Sequence, residues 1–244
     1  MRVWMACMAV VFAGQASAQG PGWSFALSPY IWAPGIATSI ETARGRVEVD
    51  KSSSDVLSKL DFAFMGAFEA RNGRWGLIAD LFYADLSQSS ATPLGLLFSR
   101  ARVETEAKAL SAYAAYRIHE DARVSVDLMA GLRVNSVDID LSLSPGLLPG
   151  QSFGIGETWV DPLIGGRLRF AITDHWFATA FADVGGVDVG SDLTWQVFGS
   201  LGYQFNDRWS VQGGWRYVVI DKEIDGRDVE TAFSGPLLGF TLRF

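Results

Sequence analysis

The chain has 244 residues, of which 49% are hydrophobic, and its formal net charge at pH 7 is −7. This acidic balance argues against a nucleic-acid partner, because binding phosphates requires a basic surface. The length suits a single domain, and one cysteine cannot build a disulfide framework.

Residues 1–18 have the composition of a secretory signal peptide. Arg2 supplies the positive charge, Val3 to Ala13 the apolar stretch, and Ala16-Ser17-Ala18 a small-residue cleavage site. The apolar stretch is too short for a transmembrane helix, which was the alternative. We therefore predict a signal peptide over 1–18 and one mature domain over 19–244, without a cysteine.

The mature sequence alternates apolar and polar residues, which is the pattern of β-strands with one apolar face. Between successive strands, short turns containing Asn, Asp or Gly alternate with longer connections. Outer-membrane barrels show the same alternation of short periplasmic turns and longer outer loops. The pattern predicts an all-β fold, a transmembrane antiparallel up-and-down β-barrel of ten strands, with eight or twelve as alternatives. The predicted strands are 24–33, 61–71, 74–87, 103–118, 123–142, 158–173, 176–184, 192–206, 209–221 and 235–244.

The first long connection leaves the strand count open. Residues 36–52 could pair as a hairpin, which we interpret as an outward extension of the first two strands. A membrane-spanning hairpin there would raise the count to twelve. Asp55–Leu60 follow Ser53-Ser54 as possible caps and could form one or two helical turns. The connections predicted to be long are 34–60, 88–102, 143–157, 185–191 and 224–232.

Aromatic residues mark both ends of the predicted apolar band. Trp209 and Tyr217 are eight residues apart, which corresponds to roughly 20 Å across the membrane after strand tilt. This approaches the apolar band of roughly 25 Å on a transmembrane barrel. The predicted aromatic girdle comprises Trp75, Tyr83, Trp159, Trp176, Trp195, Trp209 and Tyr217.

Two other features concern the predicted outer end. Within 123–142 the apolar residues change from even to odd positions, which predicts a β-bulge near Asn135-Ser136. The connections Thr92–Phe98 and Pro145–Pro149 are unusually apolar for external loops. They could pack over the barrel mouth, or they could form a gate for a hydrophobic compound.

With the apolar face assigned to lipid, the opposite face carries charges of both signs. The predicted lumen-facing charges are Asp61, Glu69, Asp80, Arg117, Asp127, Arg133, Asp161, Arg167, Arg169, Asp183, Arg216 and Arg243. In a narrow barrel these side chains should meet and pair. They would form either a salt-bridged core that plugs the barrel or a constriction that selects small solutes by charge.

The sequence gives little basis for catalysis or cofactor binding. Both histidines, His119 and His175, fall in predicted periplasmic turns, and a lipid-hydrolysing site would need one near the outer leaflet. Residues 183–192 contain three aspartates, but their spacing indicates a glycine-rich hairpin rather than a calcium loop. We therefore expect no cofactor, no metal and no enzyme activity, with an outer-membrane lipid-modifying enzyme as a distant alternative.

The last ten residues, Gly235 to Phe244, resemble the C-terminal signal strand of bacterial outer-membrane barrels. Gly239, Leu242 and Phe244 match its glycine, hydrophobic and terminal aromatic positions, whereas Leu237 occupies a position that is usually polar. The resemblance implies that the barrel assembly machinery recognises this strand.

A wider resemblance covers most of the mature chain. The segments that carry it are Trp159–Gly166, Asp183–Gly186, Val189–Gln196, Gly202–Trp209, the terminal strand, Asp61–Arg71 and Gly76–Asp80. They resemble a widespread family of small proteobacterial outer-membrane β-barrels of largely unassigned function. The architecture is similar to that of the OmpA barrel and of OmpW-like proteins. The resemblance implies an outer-membrane location and brings no catalytic residues.

These observations predict a monomeric barrel in the outer membrane of a Gram-negative bacterium, surrounded by outer-membrane lipid. Its expected role is structural or surface-related, with limited passage of small solutes, and a conduit for small hydrophobic compounds is the alternative. The structural rival is a soluble lipocalin-like barrel, which would place its apolar face inward. The terminal Phe244 and the tryptophans beside the turns argue against that rival.

Overall fold

The computed structural model describes residues 22–42, 45–91, 98–224 and 227–244. The predicted signal peptide and the apolar connection at 92–97 lie outside the described residues. The elements are β1 (Trp23–Trp32), β2 (Gly35–Thr42), β3 (Gly45–Lys51), α1 (Ser53–Leu57), β4 (Leu60–Asn72), β5 (Trp75–Ala91), β6 (Phe98–Glu120), β7 (Val124–Pro145), β8 (Gln151–Ala171), β9 (Trp176–Gly186), β10 (Leu193–Gln204), β11 (Trp209–Ile224) and β12 (Arg227–Arg243).

Ten of these strands close into an antiparallel up-and-down barrel. Each of β4 to β12 pairs with its neighbour in sequence, β1 pairs with β4, and β12 pairs with β1 to close the sheet. The closing pair continues to the chain end, because Phe244 and Phe25 exchange two backbone hydrogen bonds of 3.0 Å. A closed sheet satisfies every ladder hydrogen bond without a helix or an exposed edge. The predicted ten-strand barrel is confirmed.

The segment after β1 forms a hairpin above the barrel wall. Ala33 and Pro34 separate β1 from β2. Strand β2 then pairs with Val229–Ser234 of β12, and β3 pairs with β2. The hairpin therefore extends the first strand outward and adds no strand to the closed ring.

Helix α1 is a single short turn that follows β3. Ser52 caps it: its hydroxyl accepts from the Asp55 N–H (3.2 Å), and its own N–H donates to the Asp55 carboxylate (3.1 Å). The Ser52 hydroxyl also donates to the Asp55 carboxylate (2.6 Å), and this bond, followed by the one from the Ser52 N–H, lowers the pKa of Asp55. The cap thus lies one residue before the predicted serines. Among the described residues, no helix has the length and hydropathy needed to cross a membrane.

The two ends of the barrel differ in length. At one end, called here the turn end, short turns join β4 to β5, β6 to β7, β8 to β9 and β10 to β11. At the other, the extension end, β5 to β8 continue far beyond the ring. Much of the connection predicted at 143–157 is strand, because Leu143 pairs with Gln151 and leaves only 146–150 as a loop.

The predicted bulge near Asn135-Ser136 is wrong. The pairing of β7 with β6 and with β8 runs through these residues without a shift. Val137 therefore keeps the inward direction of Asn135, and Asp138 faces outward. The outer surface changes at this point from an apolar zone to a polar one. The apolar side chains therefore change from the outer face of the strand to the inner face. Register shifts occur elsewhere, between Leu60 and Phe62, Phe98 and Arg100, and Arg117 and His119.

The outer wall of the ring is apolar. Exposed large apolar side chains cover it on all ten strands, including Leu27, Phe64, Leu132 and Leu238. Trp75, Trp176 and Trp209 begin their strands at the turn end, and Trp75 is 63% exposed. Tyr83, Trp195 and Tyr217 lie near the other edge of the band and also point outward, with Trp195 packed against Tyr217.

Trp159 does not belong to this outward set. It is two residues from Asp161, so the two share the inward face of β8. Its indole N–H donates to the buried hydroxyl of Ser191 (2.9 Å), and the ammonium of Lys222 lies 5.3 Å from its ring. The girdle assignment fails for Trp159 because strand parity places this residue inside.

Candidate functional site

The lumen at mid-height contains a buried network of polar side chains. We name it the upper network and define it as Tyr30, Asp80, Tyr113, Arg133, Asp183, Gln196 and Arg216. In one half, the Asp183 carboxylate accepts from the Tyr113 hydroxyl (2.7 Å) and from Arg133 Nη2 (3.0 Å). The Gln196 amide also donates to this carboxylate.

The second half of the upper network is built on Arg216. Its Nη1 donates to the Tyr30 hydroxyl (3.0 Å) and to Asp80 Oδ1 (3.3 Å), and Tyr30 in turn donates to Asp80 Oδ2 (3.0 Å). Arg216 Nε donates to the side-chain amide oxygen of Gln196 (3.0 Å). One amide therefore joins the two halves, and each half has one guanidinium for one carboxylate.

A second ion network lies nearer the turn end. This lower network consists of Glu69, Arg71, Arg117, Asp127 and Arg167. Arg167 donates to Glu69 (2.7 Å) and to Asp127 (2.8 Å). Arg117 and Arg71 donate to Asp127 at 2.9 and 3.0 Å, and Arg71 also donates to Glu69 at 3.0 Å. Here three guanidinium groups share two carboxylates.

Apolar side chains fill the space around the upper network. One cluster comprises Trp32, Met65, Val218 and Leu237, with Tyr30, Ala63, Phe82, Phe198, Ile220 and Phe233 against it. The other comprises Tyr113, Ala115, Met129 and Leu163, with Ile78 and Phe181 against it. The middle of the lumen is therefore packed by apolar and paired charged groups together.

Below the upper network the lumen opens into a cavity of about 640 Å³. We name it the vestibule. Asp121 and Asp207, in the turns, line its rim, and Tyr30, Asp80 and Arg216 line its inner end. The vestibule thus extends from the turn end to the upper network.

The structure brings most of the predicted lumen charges together. Eight of the twelve belong to the two networks: Glu69, Asp80, Arg117, Asp127, Arg133, Arg167, Asp183 and Arg216. Arg169 and Arg243 line the vestibule outside both networks. Asp161 lies deeper toward the extension end, where it accepts from Asn135 (2.9 Å) and from the Ser191 N–H (2.7 Å). Asp61 stands apart, exposed at the register shift of β4.

Arg71 and the uncharged members of the upper network are absent from the predicted set of lumen residues. Arg71 is the last residue of the predicted strand 61–71, it has the same parity as Glu69, and β4 continues to Asn72. Parity alone would have placed it inside. Tyr30 and Gln196 alternate with outward apolar residues, so the same parity rule, extended from charged to uncharged polar side chains, places them inside as well.

The two histidines lie in the turns. His119 contacts Asp121 (3.1 Å), and His175 Nδ1 lies 3.0 Å from the backbone oxygen of Gln204. The Asp121 carboxylate accepts from two backbone N–H groups of its turn, those of Arg123 and Val124, both at 2.7 Å. These hydrogen bonds, with a smaller contribution from His119, lower the pKa of Asp121 to about 2.

Within the described part of the chain, no group of three or more His, Cys, Asp or Glu side chains could hold a metal ion. In the hairpin at 183–192, Gly186, Val187 and Asp188 have positive φ angles of 92°, 52° and 59°. Asp192 accepts from the Glu223 N–H (2.7 Å), and Asp183 belongs to the upper network. Asp183 and Asp192 therefore have different partners.

The terminal strand has one inward and one outward face. Gly239 lines the vestibule, where its lack of a side chain leaves room opposite Tyr30 and Gln212. Leu242 pairs with Trp209 and with Leu27 on the outer face, and Phe244 stacks on Phe25 with ring centroids 5.8 Å apart. The three predicted assembly positions lie at the barrel seam.

No protein-family model and no curated protein sequence matches the chain. Among solved structures, the outer membrane protease OmpT from Escherichia coli is similar with a TM-score of 0.61 and 10% identity, over 93% of this chain and 98% of that one. The translocator domain of the autotransporter NalP from Neisseria meningitidis has a TM-score of 0.45 and 12% identity, over 93% and 90%. Ail from Yersinia pestis has a TM-score of 0.36 and 14% identity, over 91% and 99%. The likeness to OmpT supports the barrel fold and concerns the fold alone.

Proposed function

We propose that the chain is an outer-membrane β-barrel of a Gram-negative bacterium, which acts as a closed scaffold at the cell surface. The apolar outer wall and the barrel fold support a place in a lipid bilayer. The short turns then lie in the periplasm, and the β5–β8 extension projects from the cell. An N-terminal signal peptide would supply export to this location.

The observation that carries this proposal is the upper network across the middle of the lumen. Arg133 donates directly to Asp183 at 3.0 Å, and the two residues are only 3% and 4% exposed. A buried ion pair is costly to break, because each charge left alone would keep its desolvation cost without its partner. A solute that crossed the lumen would have to separate these pairs and displace the apolar side chains around them. The geometry therefore favours a plug over a selective constriction.

Conductance in planar bilayers tests the plug. We expect the refolded wild-type protein to insert without discrete conductance steps. The double variant Asp80→Ser/Arg216→Ser removes one ion pair together with most of its bulk, and it should increase conductance. The matched control is Arg102→Ser, which breaks the exposed Arg102–Glu104 pair in the extension (2.8 Å) and should stay silent. Discrete wild-type steps would contradict the closed scaffold.

A second candidate function, a conduit for small hydrophobic compounds, is favoured by one feature of the extension. On the face of β8 that continues the lumen wall, Phe153 is 57% exposed and Ile155 is 73% exposed. Such residues could collect an apolar compound at the barrel mouth. Saturable binding of the apolar dye phenylnaphthylamine that is lost in Phe153→Ser/Ile155→Ser would support this role. Equal binding of the dye by that variant and by the wild type would rule out this role.

A further inference from the structure

Two arginines in the vestibule have no carboxylate partner. Within the described residues, the Arg243 side chain makes no hydrogen bond or ion pair, although it lines the cavity. Arg169 donates to the side-chain amide oxygen of Gln204 over a long 3.4 Å, and its guanidinium lies 3.7 Å from the ring centre of Phe177. A guanidinium has five N–H donors, so most of those on these two side chains lack a protein acceptor.

The charge balance changes along the lumen. The upper network has two arginines and two carboxylates, Asp80 and Asp183. The lower network with Arg169 and Arg243 has five arginines; with Glu120, the partner of Arg117, they face three carboxylates, Glu69, Glu120 and Asp127. This positive excess lies inside a protein whose formal net charge is −7. Like charges confined in an enclosed site repel one another, and an anion among them would relieve that repulsion.

Two acidic residues at the rim, Glu120 and Asp121, have partners, and Asp207 lies exposed in the turn before β11. Glu120 forms an ion pair with Arg117 (2.7 Å), and Asp121 is held by the backbone of its own turn. A further donor in the lower network is unused, because Arg71 Nη1 is buried without an acceptor among the described residues. With Glu120 counted, the arginines of the lower network and of the vestibule still exceed their carboxylate partners by two.

We propose that the vestibule binds a small anionic solute through Arg169 and Arg243, by means of a phosphate or carboxylate group. The cavity of about 640 Å³ has room for a metabolite-sized anion. Stacking on Phe177 holds the flat face of Arg169, so that its edge donors can meet ligand oxygens in the planar geometry that carboxylates and phosphates prefer. Hydroxyl and amide groups of Ser210, Gln212 and Thr241 line the same cavity and can complete the hydrogen bonds.

Calorimetric titration of the refolded protein in zwitterionic detergent at low salt tests this site. Inorganic phosphate and succinate are the two probes, and glycerol is the uncharged control. We expect saturable binding of at least one anion and none of glycerol. Arg169→Gln/Arg243→Gln should weaken that binding by more than about tenfold, because charge-assisted hydrogen bonds are lost. Arg102→Gln removes the same charge outside the lumen and should leave the affinity unchanged.

The two probes separate the sources of the anionic group. Binding of phosphate alone assigns a phosphorylated solute, binding of succinate alone a carboxylate, and binding of both a general anion site. Absence of saturable binding by the wild type, or wild-type affinity in the double variant, would overturn the proposal. If the double variant fails to fold, Arg243→Gln replaces it. Because Arg243 makes no hydrogen bond or ion pair to any described residue, this variant should fold normally and bind several-fold more weakly.

This inference goes beyond the scaffold role and does not depend on it. The vestibule opens at the turn end whether or not the lumen conducts. Conductance in the wild type would contradict the closed scaffold and leave the anion site standing. Conversely, a silent barrel that binds neither phosphate nor succinate would contradict only the anion site.

Discussion

Removing the Asp183 carboxylate should destabilise the barrel strongly. The group accepts from Tyr113, Arg133 and Gln196, and it is almost fully buried. Hydrogen bonds to a charged group contribute about 1.5–3 kcal/mol each, and part of that gain offsets the cost of burying the carboxylate. The dominant loss in Asp183→Ala is that Arg133 remains buried with its charge unpaired. Breaking a buried pair in this way costs about 3–5 kcal/mol.

The assay is equilibrium unfolding in urea of the protein inserted in phospholipid vesicles, followed by tryptophan fluorescence and by heat-modifiability on gels. Asp174→Ala, in an exposed turn, is the control and should change the free energy of unfolding by less than about 0.5 kcal/mol. The double variant Arg133→Met/Asp183→Leu removes both charges and fills the space with apolar groups. It should cost less than Asp183→Ala, because no buried charge is left unpaired.

Two results would refute this reasoning. A loss of less than about 1 kcal/mol in Asp183→Ala would mean that water or another group compensates Arg133, so that the site is not dry. In a double-mutant cycle of Arg133→Met and Asp183→Leu, effects on the free energy of unfolding that simply add would mean that the two residues do not interact energetically.

Other predictions concern the wall, a turn and the seam. Gly131→Ala should destabilise the barrel by about 1–3 kcal/mol in the same urea assay, because its new methyl group would overlap the backbone carbonyl of Ala112. Gly199→Ala is the matched control, since nothing lies within 4 Å of its new methyl group, and it should be close to neutral. The Asp121 carboxyl should titrate at a pKa of about 2 by carbon-13 NMR, and a value near its ordinary 3.8 would contradict the turn geometry. Because this pKa is lowered on folding, the carboxylate stabilises the folded state at pH values above 3.8, and the effect is lost as the pH falls through about 2. Deleting Phe244 removes two backbone hydrogen bonds at the seam and should reduce the heat-modifiable fraction in outer membranes, so normal assembly of that variant would count against a role for the terminal residue.

The sequence was sufficient to predict the ring because alternation is a local property. In β11, every second residue from Trp209 to Tyr217 is apolar or glycine, which fixes the faces of the strand before any partner is known. The same rule failed for Val137, whose outer surroundings change along the strand. For Trp159 the same rule contradicts the girdle assignment, because its parity with Asp161 places it inside.

The pairing inside the lumen could not be predicted in the same way. Arg167 meets Glu69, which lies 98 residues earlier in the chain, and Arg216 meets Asp80, 136 residues earlier. Parity shows that each side chain points inward. Which charges meet depends on the stagger of all ten strands and on the height of each residue in the barrel. The free arginines of the vestibule follow from that arrangement, so the excess of positive charge became visible only in three dimensions.

The central claim is that this chain is a closed barrel inserted in the outer membrane. Heat-modifiability of the protein in isolated outer-membrane fractions tests it most directly. We expect the unboiled protein in that fraction to migrate as a compact band, which shifts to the position of the unfolded chain after boiling. A protein that is recovered in the soluble periplasmic fraction and shows no shift would contradict the account.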